Sequence, residues 1–353
     1  MDKESFTSMK LKDWPGRDRE LWHKALQPGD ILDDDVSPAS AWRPATRRST
    51  EKAWGTYLFW LETSGSLEPD DTPVKRVNLA SMSSFIALYS VGRAELTVAG
   101  TVRGIAYMLR ATAPPDGMPW LTKLAHRLMN NAASVRPKLP RMVSISDLAS
   151  LGLKLMADGR AMLANGKADG AMTFRDGLMI AALVSRPMRR RNFAALRLGV
   201  SFLVTDAGAR VVYPAEETKR QQPIDFFYPD WLHEHFDFYL ARVRPILIHS
   251  GKSEDAGWLW LGRRGTVLTE NSIGTIIGAT TEEHLGRRVS PHLFRDCAAT
   301  DVALHDSSHV GISKSVLGHA TLASSQTHYN QATSFAAMRR YQKVLDDFMD
   351  EGE

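Results

Sequence analysis

Apolar residues recur at helical spacing over most of this chain. Trp54, Tyr57, Leu58 and Leu61 share one face of a helix that begins near Thr50 and stops near Gly65. Val77 to Tyr89 repeats the pattern. Val98, Val102, Ile105 and Leu109 form a third stripe, ended by Pro114-Pro115, and Leu121, Leu124 and Leu128 a fourth. Further on, Ser146 to Ala164 and Thr173 to Ser185 read as helices, the second apolar enough to be buried. The same spacing predicts helices at Trp231 to Leu247, Glu270 to Leu285, Arg295 to His305 and Ile312 to Leu317. Phe335, Met338, Tyr341, Leu345 and Phe348 make a last amphipathic stripe. The period shortens to two around Asp206-Ala207-Gly208, where Val200 to Val204 and Arg210 to Tyr213 predict a hairpin. A further short strand is expected at Trp258 to Leu261. The expectation is a mainly α fold with a small antiparallel β-sheet.

Breaker residues divide the pattern. Residues 1–49 hold WPG, PGD, DDD and two further prolines, and are expected as a poorly ordered or loosely docked arm, with some helix around Arg19 to Leu26. Residues 50–134 then form a small helical domain. VRPKLPRMVS (135–144), with two prolines and three bases, is the expected linker, and 145–353 the second domain. A chain of 353 residues is long enough for two such cores. No run approaches the ~18 apolar residues of a membrane span, and the N-terminus lacks the apolar core of a signal peptide. One cysteine, Cys297, excludes an internal disulfide framework and a multi-cysteine zinc site, and is expected to pack in a helix core. A cytoplasmic protein is expected.

Charge changes this picture. The net charge is only +4, yet Val74 to Arg141 holds ten lysines and arginines against two acids, while the last nine residues hold five acids and no base. A basic segment of that kind suits a polyanionic partner. Arg93, Arg103, Arg110, Lys123 and Arg127 are the candidates for phosphate contacts, which set affinity and register rather than sequence choice.

The most specific stretch is Ser290 to Gln331. It holds His292 and Arg295 as H-x-x-R, His319 in Leu-Gly-His, and Tyr329. Two histidines, an arginine and a tyrosine suit chemistry at a phosphate. Phosphodiester transesterification needs a nucleophile, an acid for the leaving oxygen, and cations on the nonbridging oxygens. Upstream, Arg189, Arg190 and Arg191 follow Pro187 and open a predicted helix, where an arginine is well set to hold a phosphate. Lys219 follows the hairpin, although Lys252 and Arg210 also flank strand signals.

In this order and at these spacings the chain resembles the tyrosine recombinase or phage integrase family, which is related to type IB topoisomerases. The resemblance rests on Arg189 in RRRNFAALR, Lys219 in EETKRQQP, His292 and Arg295 in PHLFRD, His319 in LGH, and Tyr329 in THYNQA. It spans residues 50 to 345 and is strongest after 170. It implies an N-terminal core-binding (SAM-like) helical domain and a C-terminal catalytic domain. It also implies a site-specific DNA recombinase of a mobile element or phage, in the bacterial cytoplasm and on the nucleoid. Four copies would assemble on two double-stranded DNA sites, with or without accessory proteins. Tyr329 would attack the phosphorus and form a 3′-phosphotyrosine. Arg189 and Arg295 would hold the nonbridging oxygens, each such donor being worth ~3–4 kcal/mol. Lys219 would protonate the leaving 5′-oxygen, His292 would assist proton transfer at the tyrosine, and His319 would donate to a phosphate oxygen. No metal or cofactor is implied.

Two departures stand out. The family commonly has an acid three residues after the first arginine, where this chain has Asn192. Its tyrosine commonly lies nine residues after Leu-Gly-His, where Tyr329 lies ten after His319. Two other readings stay open: a topoisomerase-like enzyme that relaxes DNA without strand exchange, and a catalytically silent DNA-binding regulator on the same scaffold.

Overall fold

The computed structural model describes residues 6–29, 36–113, 118–133, 139–218, 222–251 and 255–305. The chain folds as two compact units, Met1–Pro137 and Lys138–Glu353.

The first unit is all helical. Its helices are α1 (Gly16–Ala25), α2 (Pro44–Thr63), α3 (Pro73–Arg76), α4 (Leu79–Tyr89), α5 (Glu95–Thr112) and α6 (Pro119–Asn131). The stripe on α2 buries Trp54, Tyr57, Leu58 and Leu61 against Val98, Val102, Ile105 and Leu109 of α5. The approach is close: a Cβ at Gly104 would stand within van der Waals overlap of the Ala53 methyl. Asn78 caps α4 by a reciprocal pair of hydrogen bonds with Ser81, a capping box.

In the arm expected over residues 1–49, the described residues 6–29 and 36–49 bring buried side chains to this core. Trp14 and Trp22 are 2% and 0% exposed. Trp22 Nε1 donates to Glu51 Oε1 (3.0 Å), and Ser37 Oγ donates to the Ala111 carbonyl (2.9 Å). Breaker residues there mark turns between short elements, and each element brings a large aromatic to the α2–α5 core.

The second unit opens with α7 (Ile145–Ala164) and α8 (Gly170–Ser185), packed antiparallel. Four glycines make this crossing. Gly152 and Gly159 on α7 meet Gly177 and Gly170 on α8, each pair about two turns apart. A Cβ at Gly177 would stand 2.7 Å from the Gly152 carbonyl oxygen and 2.8 Å from the Met156 nitrogen, both backbone atoms that cannot swing aside. Gly177→Ala is therefore expected to destabilise the unit by about 1–3 kcal/mol, read as a lower denaturation midpoint by circular dichroism. An unchanged midpoint would show that the helices re-space without cost.

Pro187 ends α8, since it cannot continue the helix and holds Arg186 extended (φ −143°, ψ 92°). The short helix α9 (Arg190–Ala194) follows. The sheet is a three-stranded antiparallel meander, β1 (Phe202–Thr205), β2 (Gly208–Tyr213) and β3 (Ile224–Phe227), in the order β1-β2-β3. Phe202 pairs with Val211 and Val211 with Phe226. Strand β3 was not among the expected strands. Trp258 to Leu261, expected as one, makes only isolated bridges, Arg197 to Trp258 and Leu261 to Val267.

The helix expected from Trp231 to Leu247 is interrupted. It runs as α10 (His233–Phe238), a π turn over Tyr239–Val243, and α11 (Arg244–His249). Pro245 has no N–H to close the preceding turn, and the backbone widens there. Helix α12 (Glu270–Leu285) ends on Gly286 in the left-handed region (φ 65°). Helix α13 (Pro291–His305) begins four residues before the expected Arg295, because proline is favoured at a first helical position. No helix of the described residues is long and apolar enough to cross a membrane.

Candidate active site

Arg189 stands at the N-cap of α9, in extended conformation (φ −66°, ψ 135°). It is anchored on both sides. Met188 before it is 5% exposed, and Phe193, Ala194 and Leu196 after it are 0%, 7% and 0%. Phe193 packs on Trp260, with ring centroids 5.0 Å apart, and its N–H donates to the Arg189 carbonyl (2.9 Å). With that face of the segment in the core, Arg191 is left exposed and Arg189 and Arg190 half-buried. The three arginines divide their tasks. Arg190 lies along Gly274 of α12, with Nε 3.8 Å from the Glu270 carboxylate. Its side chain thus lies against α12 while remaining partly exposed.

Helix α13 carries His292 and Arg295 one turn apart, so the two side chains are neighbours on one helix face. Leu293, Phe294 and Cys297 are 3%, 0% and 2% exposed and fix the other face in the core, Cys297 as expected. His292 is exposed and Arg295 half-buried. Arg295 Nη1 donates to the Pro187 carbonyl at 2.7 Å. That bond crosses 108 positions of sequence and ties α13 to the turn two residues before Arg189. A guanidinium held at one N–H is oriented, as bidentate recognition of a phosphate requires.

Asn192, where the resembling family carries an acid, is 6% exposed. Its carbonyl accepts a hydrogen bond from the Tyr213 hydroxyl at 2.7 Å, which joins α9 to β2. Burial raises the Tyr213 phenol above its usual range, against a hydrogen bond to Ser201 that lowers it. This tyrosine stays a neutral donor.

Lys219, His319 and Tyr329 lie outside the described residues, as do the helix expected at Ile312 to Leu317 and the stripe from Phe335 to Phe348. The approaches to Lys219 on either side are described. Thr218 is 3% exposed. Its hydroxyl donates to the Gln222 carbonyl (2.7 Å), with the Ala215 carbonyl at 3.0 Å, and accepts from the Gln222 N–H (3.1 Å). One buried threonine thus joins residues 218 and 222. It is a residue that motif reading passed over, although it adjoins the lysine.

In the first unit, Arg103 and Arg110 lie about two turns apart on α5, and Lys123 and Arg127 one turn apart on α6. All four are exposed. Arg93 differs. Its guanidinium sits 4.4 Å from the Tyr89 ring centre and 4.8 Å from that of Phe6, and donates to the Tyr89 carbonyl (3.2 Å). It is engaged in packing.

No protein-family model and no curated protein matches the sequence. Solved structures do match. One is the XerH site-specific recombinase bound to difH substrate in a pre-cleavage complex, with TM-score 0.56 and 13% identity over 94% of this chain and 99% of that one. Another is the same recombinase on palindromic difH in a post-cleavage complex, with TM-score 0.56 and 12% identity over 94% and 98%. The chain therefore shares the fold of these solved structures, mainly helical with a small three-stranded antiparallel sheet.

Proposed function

We propose that this chain is a site-specific DNA recombinase that cleaves and rejoins duplex DNA through a phosphotyrosine at Tyr329. The observation that carries the reading is the Arg295–Pro187 bond, which draws one motif arginine to the turn that bears the other. The fold is shared with the XerH site-specific recombinase, which is seen on difH substrate in pre-cleavage and post-cleavage complexes.

In this reading the Tyr329 oxygen attacks phosphorus as the bond to the 5′-oxygen breaks. Lys219 gives a proton to that oxygen, and His292 takes the phenol proton. Arg189, Arg295 and His319 hold the nonbridging oxygens, where charge accumulates. The 3′-phosphotyrosine keeps the energy of the bond, so the 5′-hydroxyl of a second strand can reverse the step. The first unit is the core-binding domain, and Arg103, Arg110, Lys123 and Arg127 meet phosphates of the duplex. Four protomers on two sites complete the exchange.

The test is a covalent adduct. Duplexes drawn from the DNA flanking the gene, nicked close to each candidate phosphate, lose a short fragment on cleavage and trap the intermediate. A detergent-stable protein–DNA complex is expected, with the nucleotide mapped by mass spectrometry to the peptide that holds Tyr329. No complex across both flanks, or a nucleotide on another side chain, overturns the reading.

A further inference from the structure

The reversal between α12 and α13, residues 286–290, sets where α13 begins and so where His292 points. On its inner side it is fixed by Val289, which is 0% exposed and whose N–H donates to Thr281 Oγ1 at 2.9 Å. On its outer side it meets residues 139–143, the lead-in to α7. Two hydrogen bonds cross there in opposite directions. Arg287 Nη1 donates to the Met142 carbonyl (2.7 Å), and Arg141 Nη2 donates to the Arg288 carbonyl (3.1 Å). Met142 and Val143 also pack against the core of this unit, and Ser144 caps α7 by accepting from the Asp147 N–H (3.0 Å).

Both guanidinium groups bind main-chain carbonyls. Carbonyl bonds of this kind fix one stretch of backbone against another, which a pairing of side-chain charges does not do. Gly286 occupies the left-handed region at the start of the reversal, a position with wide conformational freedom. Without the two arginines, the segment keeps its anchors on α12, namely Val289, the Gly286 N–H to the Glu282 carbonyl (3.0 Å) and the Arg288–Glu282 pair (2.8 Å), and loses its hydrogen bonds to the lead-in to α7. His292 lies three residues beyond Val289, and Leu293 N–H donates to the Ser290 carbonyl at the helix start (2.8 Å).

We propose that Arg141 and Arg287 are positioning residues for His292, a clasp between the lead-in to α7 and the reversal before α13. The inference rests on the recombinase reading, in which His292 moves the tyrosine proton. Misplacement of such a group by 1 Å can cost ~10²-fold in rate, and partial release of the reversal is expected to cost about tenfold.

The experiment uses the nicked duplex that yields the adduct. Cleavage is followed in single turnover at saturating DNA, and binding separately over a series of salt concentrations. Arg287→Ala is expected to slow cleavage about tenfold with dissociation constant and salt slope unchanged, and Arg287→Lys, which keeps a donor, to recover most of the rate. Arg141→Ala, which breaks the other bond, should act in the same direction and stands in should Arg287→Ala fail to fold. Cleavage at the wild-type rate in both variants overturns the proposal. So does weaker binding with a salt slope lower by ~0.9, the mark of a lost phosphate contact, when the rate at saturation is kept. A wild-type chain that forms no adduct overturns the recombinase reading itself, and the clasp's role with it.

Discussion

Replacing Arg295 by alanine is expected to slow DNA cleavage about 10²–10³-fold and to leave the second unit folded. The side chain is half-buried and the core face of α13 is made by Leu293, Phe294 and Cys297, so its removal opens no cavity in the core. What is lost is an oriented donor. Arg295 donates to the Pro187 carbonyl, and in the proposed reaction a guanidinium oriented in this way would meet the phosphate without searching for a rotamer. A preorganised donor of this kind is worth ~3–4 kcal/mol at the transition state. Arg295→Lys should recover little, because an ammonium is a point charge and lacks the planar fork. Ground-state binding should change much less, with the salt slope falling by ~0.9 at most. Single-turnover rates set against dissociation constants measure the two effects separately. A wild-type cleavage rate in Arg295→Ala would remove Arg295 from the site.

The same bond shows what a sequence can and cannot disclose. Arg189, His292 and Arg295 stand out as candidates because the proposed chemistry demands particular side chains in a particular order. The contact from Arg295 to the turn before Arg189 is not legible, because its acceptor is a main-chain carbonyl and any residue at position 187 carries one. The clasp is hidden for the same reason: both of its acceptors, Met142 and Arg288, are carbonyls. Register among the three adjacent arginines was legible only in part. The resemblance in RRRNFAALR points to Arg189, while the approach of Arg190 to Glu270 depends on where α12 lies.

Fold elements divide similarly. Helices with one wide apolar stripe, such as α2 and α5, follow from the period of their sequence. Strand β3 is four residues long, follows a proline, and is fixed by pairing with β2 rather than by its own pattern. Trp258 to Leu261 has the composition of a strand and burial to match, yet its neighbours supply only single bridges. The α7–α8 crossing carries a signal of another kind, glycines at matched spacing on two helices. Apolar periodicity overlooks it, because glycine contributes nothing to a stripe. The N-terminal segment is the plainest case. Turn residues report local geometry, and nothing local shows that Trp14 and Trp22 between them are core residues.

That segment leads to the second large effect: loss of Asp18 is expected to destabilise the first unit by about 3–5 kcal/mol. Asp18 is 0% exposed and Arg76 5%. Arg76 donates through Nε and Nη2 to Asp18 Oδ2 (3.2 and 3.1 Å), and Trp54 Nε1 donates to Asp18 Oδ1 (2.9 Å). Arg76 also reaches the carbonyls of Pro69 and Asp71, and its own carbonyl accepts from the Tyr57 hydroxyl (2.7 Å). One carboxylate thus fastens α1 to α2 and α3. Burial pushes that carboxyl up, and the charge of Arg76 and the Trp54 bond pull against it. The pair as a whole is therefore a weak net stabiliser, but half of it is worse than none. Asp18→Ala leaves a guanidinium in the core without its counter-charge and a buried indole N–H without its acceptor. Asp18→Leu combined with Arg76→Met should then be more stable than either single change, a coupling that a double-mutant cycle isolates. Six of the nine tryptophans lie in this unit, so denaturation followed by tryptophan fluorescence reports chiefly on it. Additive losses in the double variant, or an unchanged midpoint in Asp18→Ala, would mean that α1 is held by apolar burial alone.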